Sequence, residues 1–526
     1  MHPSKKEFWY LIIVVLILPA FLINLGLMPL NDDEAIRTLV AMEMDFSGNF
    51  IVPTLNGVEY RAKPPLYNYF LYISYAMFGV NEWSARIPNI IFLALFGYVI
   101  YFFSKKHFSK EYSVLNALIF VTCGRLIFWD SMLAYIDIAY SLFTFLGFML
   151  IYHRGIKREW YAMFLLSYML AGLGFLMKGF PSLLFQAITL LVFLVLHKKF
   201  KKLFSLAHLS GLLVFLVIVG TYYGLYQSQA DLGKTLTGLL DQSTRRTAVH
   251  EQYDYVQFFK HLVTYPFENI YHFLPWTLMV VYLFSKKSVQ LIKANSFLIF
   301  CSLTFLSNIL VYWVSVEVYP RYILMLIPLM FSVFLFLHKK NYDNHTRYYT
   351  FYFRLTQVIF VALILSCFIT VKETLEVEIS YRYLKLSFGV LAIVGIFIAY
   401  TKYKPIRLIS FVAALLVTRI FFNLFFIPER YQGDQGVVCK DQAISLGLTQ
   451  KDIPLTIYKG SNIDLTSSVY IANQRQKITR RTDEIQESPG ITILDTARYE
   501  LTEEMAIKGS ICVREGQQTL LLVCKK

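Results

Sequence analysis

The chain has 526 residues, of which 56% are hydrophobic and only 16% are charged. Soluble domains carry about 25% charged residues, so this composition excludes an ordinary soluble enzyme and indicates an integral membrane protein. The formal net charge of +15 would fit a nucleic-acid-binding protein. However, the basic residues are clustered between apolar segments, and we therefore expect no nucleic-acid partner.

Apolar segments that are long enough to cross a bilayer, roughly 20 residues each, recur along most of the chain. We predict about thirteen transmembrane helices, at residues 8–30, 87–104, 113–129, 133–152, 159–177, 180–197, 204–225, 268–285, 294–315, 322–338, 352–371, 385–401 and 407–427. The first segment exceeds the apolar region of a signal peptide, about 7–15 residues, so we expect it to be retained.

Lysine and arginine are concentrated in every second loop between these segments. The clusters lie at residues 105–110, 154–158, 198–202, 286–293, 339–347 and 402–407. The positive-inside rule places these loops and the N-terminus in the cytosol. Two long loops, 31–86 and 227–267, and the tail from residue 430 are then extracytosolic.

The extracytosolic segments have their own predicted elements. Apolar residues in Glu34–Phe46 recur at helical spacing, and a second amphipathic stretch starts at Lys63. Such helices tend to lie along the membrane interface. The tail is polar and has short apolar runs at Leu455–Tyr458, Ile491–Leu494 and Thr519–Val523. We predict a transmembrane domain over residues 1–429 and a small α/β domain over residues 430–526.

Six cysteines are divided between the apolar segments and the tail. Cys439, Cys512 and Cys524 lie in the tail, where an extracytosolic location permits a disulfide, and we predict the pair Cys512–Cys524. No cysteine spacing is typical of a zinc site.

Carboxylates mark two places in the sequence. Asp32, Asp33 and Glu34 follow the first apolar segment, where they could supply a general base or simply cap a helix, worth about 0.3–1 kcal/mol each. Asp130 and Asp137 flank the start of the fourth segment. A carboxylate at membrane depth normally faces a cavity or a partner.

Cations near the same predicted membrane face could bind phosphate. Lys63 precedes two prolines and could act as a point charge for a phosphate, or it could extend to the interface as an ordinary lysine. Arg245 and Arg246 have the fork geometry that suits phosphate oxygens, although a solvated charge pair explains them equally well.

A turn with Lys178 and the Arg321-Tyr322 pair complete the candidates. The predicted topology places the charged ones on one side of the membrane: Asp33, Lys63, Asp137, Lys178, Arg245, Arg246 and Arg321. Carboxylates and cations at one outer face indicate chemistry on a lipid-anchored phosphate. The sequence has no Walker loop and no dinucleotide-binding glycine motif, so coupling to a nucleotide is not expected.

Several motifs follow one another in a familiar order over about residues 1–430. They are Asp33-Glu34, Ala41-Met42-Glu43-Met44, Gly48, Val52-Pro53, Gly57, Tyr60, Lys63-Pro64-Pro65-Leu66, Asn81-Glu82, Arg86-Ile87-Pro88, Lys178-Gly179, Pro275-Trp276, and Arg321-Tyr322 with Pro328. In these motifs the chain resembles the bacterial lipid-linked-sugar transferases of the GT-C class. It is similar to the aminoarabinose lipid A transferases and the protein O-mannosyltransferases.

The resemblance implies a multi-pass GT-C glycosyltransferase of the bacterial inner membrane, with a periplasmic tail. Its donor would be a sugar on polyprenyl phosphate, in bacteria undecaprenyl phosphate, and its acceptor lipid A, another glycan or a protein. The expected catalytic residues are Asp33, Glu34 and Asp137, and the expected donor-phosphate ligands are Lys63, Tyr60, Arg245, Arg246 and Arg321. Asp32, Asp130, Lys178 and Tyr322 are further candidates. Direct displacement predicts inversion at the anomeric carbon.

The chain also departs from the family pattern. Aminoarabinose transferases have Arg-Tyr shortly after the acidic pair, where this chain has Ile36 and Arg37, and an acid before the KPP lysine, where it has Ala62. We therefore carry over no metal ligand and assign no cofactor, and the use of a divalent metal is open. The competing functions are a transporter or flippase of lipid-linked sugars, a glycan ligase and a non-enzymatic scaffold.

Overall fold

The structure is a computed structural model that describes residues 5–244, 255–315, 318–373, 377–513 and 519–526. Its contacts divide the chain into two compact units. The membrane unit comprises Met1–Ile23, Asn89–Gly224 and Thr235–Phe426. The loop–tail unit comprises Asn24–Pro88, Leu225–Lys234 and Ile427–Lys526. The predicted boundary at residue 430 stays a prediction.

Helices account for most of the described chain. In order, the α-helices are α1 (Lys5–Leu22), α2 (Asp33–Ser47), α3 (Leu66–Phe78), α4 (Glu82–Ser104), α5 (Lys110–Val121), α6 (Gly124–Phe128), α7 (Asp137–Ile156), α8 (Trp160–Lys178), α9 (Pro181–Leu196), α10 (Leu206–Gln227), α11 (Leu232–Thr244), α12 (Tyr255–His272), α13 (Ser288–Lys293), α14 (Ser296–Trp313), α15 (Ile327–Asp343), α16 (Arg347–Glu373), α17 (Arg382–Lys402), α18 (Arg407–Gly433), α19 (Gln435–Thr449) and α20 (Leu465–Arg475). Short 3₁₀ segments lie at Asp130–Met132, Phe200–Phe204, Trp276–Phe284, Pro320–Ile323 and Lys404–Ile406.

The structure confirms a polytopic helical membrane protein. In the described ranges, seven helices are long and apolar enough to cross a bilayer: α4, α8, α10, α14, α16, α17 and α18. An eighth span results if Lys110–Val121 and Gly124–Met132, which meet at a bend of 50°, are counted together. Every predicted apolar segment contains helix, but the number thirteen itself stays a prediction.

The first long loop is folded, and its predicted helix is confirmed as α2. Glu34 accepts a hydrogen bond from the backbone N–H of Asn31 at 3.3 Å, which is one of the two hydrogen bonds of a capping box. The helix ends at Gly48, whose φ of +67° is the left-handed conformation common after helices.

A hairpin connects α2 to the segment that carries Lys63. Strand β1 (Thr54–Leu55) pairs with β2 (Val58–Glu59) around Asn56 and Gly57. These two residues have φ of +53° and +74°, as a two-residue type I′ turn requires. The following prolines fix the chain direction before α3 begins at Leu66.

The tail forms an α/β fold around a five-stranded sheet, as predicted. The strands are β3 (Leu455–Tyr458), β4 (Arg481–Thr482), β5 (Ile491–Leu494), β6 (Met505–Cys512) and β7 (Thr519–Lys525), in the order β4-β3-β5-β7-β6. β3 runs parallel to β4 and β5, while β7 is antiparallel to both of its neighbours. The three predicted strands are therefore confirmed, and α19 and α20 pack on one another beside the sheet.

The predicted disulfide Cys512–Cys524 is wrong. Strand register places Cys512 opposite Thr519 and Cys524 opposite Ala506, at opposite ends of the β6–β7 hairpin. Cys512 instead bonds Cys439 of α19, with a Cα–Cα distance of 5.3 Å, and Cys524 is a buried free thiol. The packing of α19 against β6, which a sequence pattern does not reveal, determines the pair.

Candidate functional site

Asp33 and Lys63, the two first-loop residues assigned to catalysis and phosphate binding, meet in the loop–tail unit. Asp33 is the first residue of α2, and Lys63 stands just before the two prolines that lead into α3. Lys63 Nζ lies 3.7 Å from Asp33 Oδ1, and both side chains are partly exposed, at 21% and 24%. A partly exposed ion pair of this length adds little stability.

A buried ion pair fixes the start of α2. Arg86 donates through Nε and Nη2 to the two carboxylate oxygens of Glu34, at 2.9 and 3.0 Å. Its remaining donors bind the carbonyls of Leu25, Met28 and Pro29. The guanidinium thereby anchors the chain that enters α2, and with it the position of Asp33. The catalytic role expected for Glu34 stays a prediction, while its observed contacts serve to position the helix.

A second carboxylate of α2 holds the hairpin that precedes Lys63. Glu43 is buried and accepts hydrogen bonds from Thr54 Oγ1 at 2.6 Å and from the backbone N–H groups of Asn56 and Gly57 at 2.6 and 3.1 Å. Burial raises the pKa of Glu43, and the three donors only partly offset that shift. Glu43 thus links α2 to the strand pair that leads to Tyr60 and Lys63.

Tyr60, an expected phosphate ligand, lies beside a buried arginine. Its hydroxyl accepts a hydrogen bond from Arg37 Nη2 at 2.6 Å, and the Arg37 guanidinium lies 5.2 Å from the ring centroid. Asp32, a further candidate, is exposed to solvent at the start of α2.

The tail contacts both ends of the first loop. Glu82 Oε1 receives hydrogen bonds from Tyr470 at 2.6 Å and from Lys440 at 2.5 Å. The Tyr470 oxygen also accepts from the N–H of Leu30, whose carbonyl binds Thr466. Glu82 and Arg86 belong to the family-like motifs, but the sequence does not indicate their contacts, because Tyr470, Lys440 and Leu25 lie far from them along the chain.

In the membrane unit, Asp137 is paired with two cations. Lys178 Nζ lies 2.5 Å from its Oδ1, and Arg321 Nε lies 3.3 Å from its Oδ2. All three side chains are nearly buried, at 5%, 11% and 7% exposure for Asp137, Lys178 and Arg321. Three sequence candidates from α7, the end of α8 and the 3₁₀ turn at Pro320–Ile323 therefore form one cluster.

Aromatic rings surround these cations. Lys178 Nζ lies 3.9 Å from the centroid of Tyr322, and the Arg321 guanidinium lies 4.5 Å from Tyr135 and 4.3 Å from Tyr319. Cation–π contacts of this kind stabilise a charge in a desolvated place. Tyr322, predicted as an accessory residue, thus belongs to the Asp137 cluster.

Asp130, the second acidic candidate of this region, has a partner of its own. It is buried and paired with Arg125 at 2.9 Å, and its backbone carbonyl accepts from Asn89 at 3.0 Å. These contacts lie within Gly124–Met132 and link this segment to α4. Arg245 and Arg246 lie outside the described residues, and their predicted role stays a prediction.

The membrane unit contains an apolar groove. It has a volume of about 180 Å³ and is lined by residues such as Tyr265, Phe273, Trp313, Ile323 and Ile327. Ile323 belongs to the same 3₁₀ turn as Arg321. The groove and the cation therefore come together on one local element of the membrane unit.

Within the ranges that the structure describes, no three His, Cys, Asp or Glu side chains converge as metal ligands. We assign no metal ligand to this chain.

Solved structures provide the comparison that decides the fold. The crystal structure of ArnT from Cupriavidus metallidurans bound to undecaprenyl phosphate superposes with a TM-score of 0.71, covering 99% of this chain and 98% of that one at 14% sequence identity. The chain has the fold of ArnT. The crystal structure of the same ArnT in the apo state superposes on this chain with a TM-score of 0.70. The ArnT fold confirms the expected GT-C architecture.

Sequence comparisons agree with the ArnT fold over part of the chain. Residues 62–223 match the family model of dolichyl-phosphate-mannose-protein mannosyltransferases. The undecaprenyl phosphate-α-4-amino-4-deoxy-L-arabinose arabinosyl transferase of Wigglesworthia glossinidia brevipalpis is 29% identical, over 34% of this chain and 34% of its own length. The enzyme of the same name from Pseudomonas savastanoi is 25% identical, over 44% of each chain. The matches therefore span about a third to just under a half of these relatives.

Proposed function

We propose that this protein is a glycosyltransferase that moves a sugar from a polyprenyl phosphate to an acceptor outside the cytosol. The observation that carries the proposal is the approach of Lys63 Nζ to Asp33 Oδ1 at 3.7 Å. The motif resemblance assigns Lys63 to phosphate binding and Asp33 to catalysis. The fold of ArnT and the arabinosyl transferase relatives support the same activity.

The chemistry follows from the charges of this pair. As the bond between the sugar C1 and the phosphate oxygen breaks, its electron pair stays on the phosphate, whose charge increases. The ammonium of Lys63 stabilises that charge, an electrostatic effect of several kcal/mol where the group is preorganised. An acceptor hydroxyl then bonds to C1 and gives its proton to Asp33. This direct displacement inverts the anomeric configuration.

An apolar groove of the membrane unit is a candidate surface for a polyprenyl chain. Almost all of the side chains that line it are apolar, and one of them, Ile323, belongs to the same 3₁₀ turn as Arg321. The ArnT crystal structure with undecaprenyl phosphate supports undecaprenyl phosphate as the carrier.

The cellular location follows from the topology. Basic residues in alternate loops favour a cytosolic N-terminus and a periplasmic tail in the bacterial inner membrane. The acceptor would then be lipid A, another glycan or a protein on the periplasmic side. The apolar helices among the described residues agree with a multi-pass membrane enzyme.

Comparative mass spectrometry tests the proposal directly. Glycolipids and glycoproteins from cells with the wild-type chain, with Asp33→Asn and without the gene would be compared. A sugar-sized mass increment that is present only with the wild-type chain is expected. Identical profiles in all three strains would contradict the transferase activity. The same experiment identifies the sugar and the class of acceptor.

A flippase is the alternative function. In vesicles that contain the purified protein, a flippase would move a labelled lipid-linked sugar from one leaflet of the bilayer to the other, without forming a new glycosidic bond. We expect transfer to an acceptor and no acceleration of transbilayer movement. Movement without transfer would favour the transporter.

A further inference from the structure

Arg37 is a buried cation that forms no ion pair with the residues that the structure describes. It lies one turn after Asp33 on α2 and is only 1% exposed. Its Nη2 donates to the Tyr60 hydroxyl at 2.6 Å, but within the described ranges its Nε and Nη1 have no hydrogen-bond partner. A buried guanidinium without an anion is energetically unfavourable. Such an arrangement is typical of a site that a charged ligand completes.

No carboxylate of the described residues forms an ion pair with Arg37. Glu34, three residues earlier on α2, pairs with Arg86, and Asp33 lies 3.7 Å from Lys63. The guanidinium of Arg37 can therefore take the charge of an added anion, and a sugar phosphodiester carries a single negative charge.

The Arg37–Tyr60 contact also orients a proton. A tyrosine hydroxyl has one hydrogen to donate, and its oxygen here accepts from Arg37. The Tyr60 hydrogen is therefore directed away from Arg37. Burial raises the pKa of Tyr60, against the opposing effect of Arg37, so the hydroxyl keeps its proton at neutral pH. Tyr60 is thereby prepared to donate to an anion.

From this geometry we propose that Arg37 is a positioning residue for the donor phosphate. It orients Tyr60 so that the hydroxyl donates to a phosphate oxygen, and it supplies the positive charge that the phosphodiester balances. This inference rests on the proposed function and deepens it. In the sequence, Arg37 is one of the positions that depart from the family pattern.

Lipid binding by the full-length protein in nanodiscs tests the proposal. The probe is undecaprenyl phosphate, and undecaprenol, which has the same tail but no phosphate, is the matched ligand. The variants are Arg37→Gln, Tyr60→Phe and the double variant. Arg61→Gln, which removes a nearby arginine that is paired with Glu59, is the control.

We expect Arg37→Gln and Tyr60→Phe each to weaken undecaprenyl phosphate binding at least about tenfold. Because Arg37 acts through Tyr60, the double variant should bind no more weakly than Arg37→Gln alone. Undecaprenol binding should be unchanged in all variants, and Arg61→Gln should resemble the wild type. Without lipid, Arg37→Gln should unfold at the same temperature as the wild type or higher, since it removes an uncompensated buried charge.

Different outcomes separate this inference from the proposed function. Wild-type affinity in Arg37→Gln, or additive losses in the double variant, would overturn the role of Arg37 alone. A lower unfolding temperature combined with equal losses for both lipids would show that Arg37 serves only the fold, and would overturn it too. If the wild type binds undecaprenyl phosphate and undecaprenol with equal affinity, both the proposed polyprenyl-phosphate donor and the role of Arg37 are wrong.

Discussion

Lys63 Nζ lies 3.7 Å from Asp33 Oδ1 although thirty residues separate the two along the chain. The hairpin β1–β2 and the two prolines bring Lys63 back to the start of α2. The expected base, Asp33, and the expected phosphate ligand, Lys63, therefore lie side by side. Their roles differ, so their substitutions should affect the kinetic constants differently.

We predict that Asp33→Asn lowers kcat alone, whereas Lys63→Gln raises KM for the donor and also lowers kcat, because Lys63 stabilises the charge that develops on the leaving phosphate. Loss of a general base costs about 10²–10⁴-fold in rate, whereas loss of a phosphate contact weakens binding of the donor. Initial rates of sugar transfer at varied donor concentrations measure both constants. Arg61→Gln in the same loop is the control. An Asp33→Asn protein that turns over at the wild-type rate would remove the assignment of the base.

The Asp137 cluster predicts a double-variant effect on stability. Asp137→Asn leaves Lys178 and Arg321 without their shared carboxylate in a nearly buried place. Breaking such a pair costs about 3–5 kcal/mol, so the unfolding temperature in detergent should fall clearly. Adding Lys178→Met removes one of the stranded charges and should restore part of the loss. An unchanged unfolding temperature in Asp137→Asn would show that the cluster is not stabilising.

Local patterns in the sequence predicted a large part of this structure. The spacing of apolar residues revealed α2, and short apolar runs revealed β3, β5 and β7, because periodicity depends only on neighbours in the chain. The resemblance brought Asp33 and Lys63 together as members of one site. It also gave Asp137 an acidic role, although not its two cationic partners.

Contacts between distant parts of the chain escaped prediction. Tyr470 and Glu82 are 388 residues apart, and nothing in either local sequence indicates that they meet. The predicted disulfide was wrong for the same reason. Cys524 is nearer to Cys512 in the sequence, but tertiary packing places Cys439 beside Cys512. The sequence does not indicate the role of Arg37. Among the described residues, its buried Nε and Nη1 have no hydrogen-bond partner, and only the folded structure shows this.

The Cys439–Cys512 bond should stabilise the tail. It closes a loop with a sequence separation of 73 residues, for which chain entropy alone gives roughly 4 kcal/mol. Cys439→Ser with Cys512→Ser should therefore lower the unfolding temperature and increase proteolysis of the tail. Cys524→Ser, which removes the free thiol, is the matched control. Peptide mapping without reduction that recovers a Cys512–Cys524 peptide would contradict the assigned bond.

Tyr470 should link the tail to the activity of the first loop. Tyr470→Phe removes its hydrogen bonds with Glu82 and with the N–H of Leu30, and the net loss is about 0.5–1.5 kcal/mol for each bond. We expect a lower unfolding temperature and a reduced kcat, because α2 and Asp33 follow Leu30 directly. Tyr458→Phe in β3, away from these contacts, is the comparison. Wild-type stability and kcat in Tyr470→Phe would show that this contact is dispensable.

Glu43 should make stability depend on pH in a defined direction. Its pKa in the folded protein is raised above the ordinary value of 4.5, chiefly by burial. The protonated form therefore favours folding, and its contribution is complete below 4.5 and is lost as pH rises through the raised pKa. In Glu43→Gln this contribution does not change with pH. The unfolding temperature of the wild type relative to Glu43→Gln should thus decrease as pH rises from about 4 and then become constant. Asp45→Asn, an exposed change on the same helix, should show no such trend. A difference that grows with rising pH would mean that the three hydrogen bonds to Glu43 outweigh its burial.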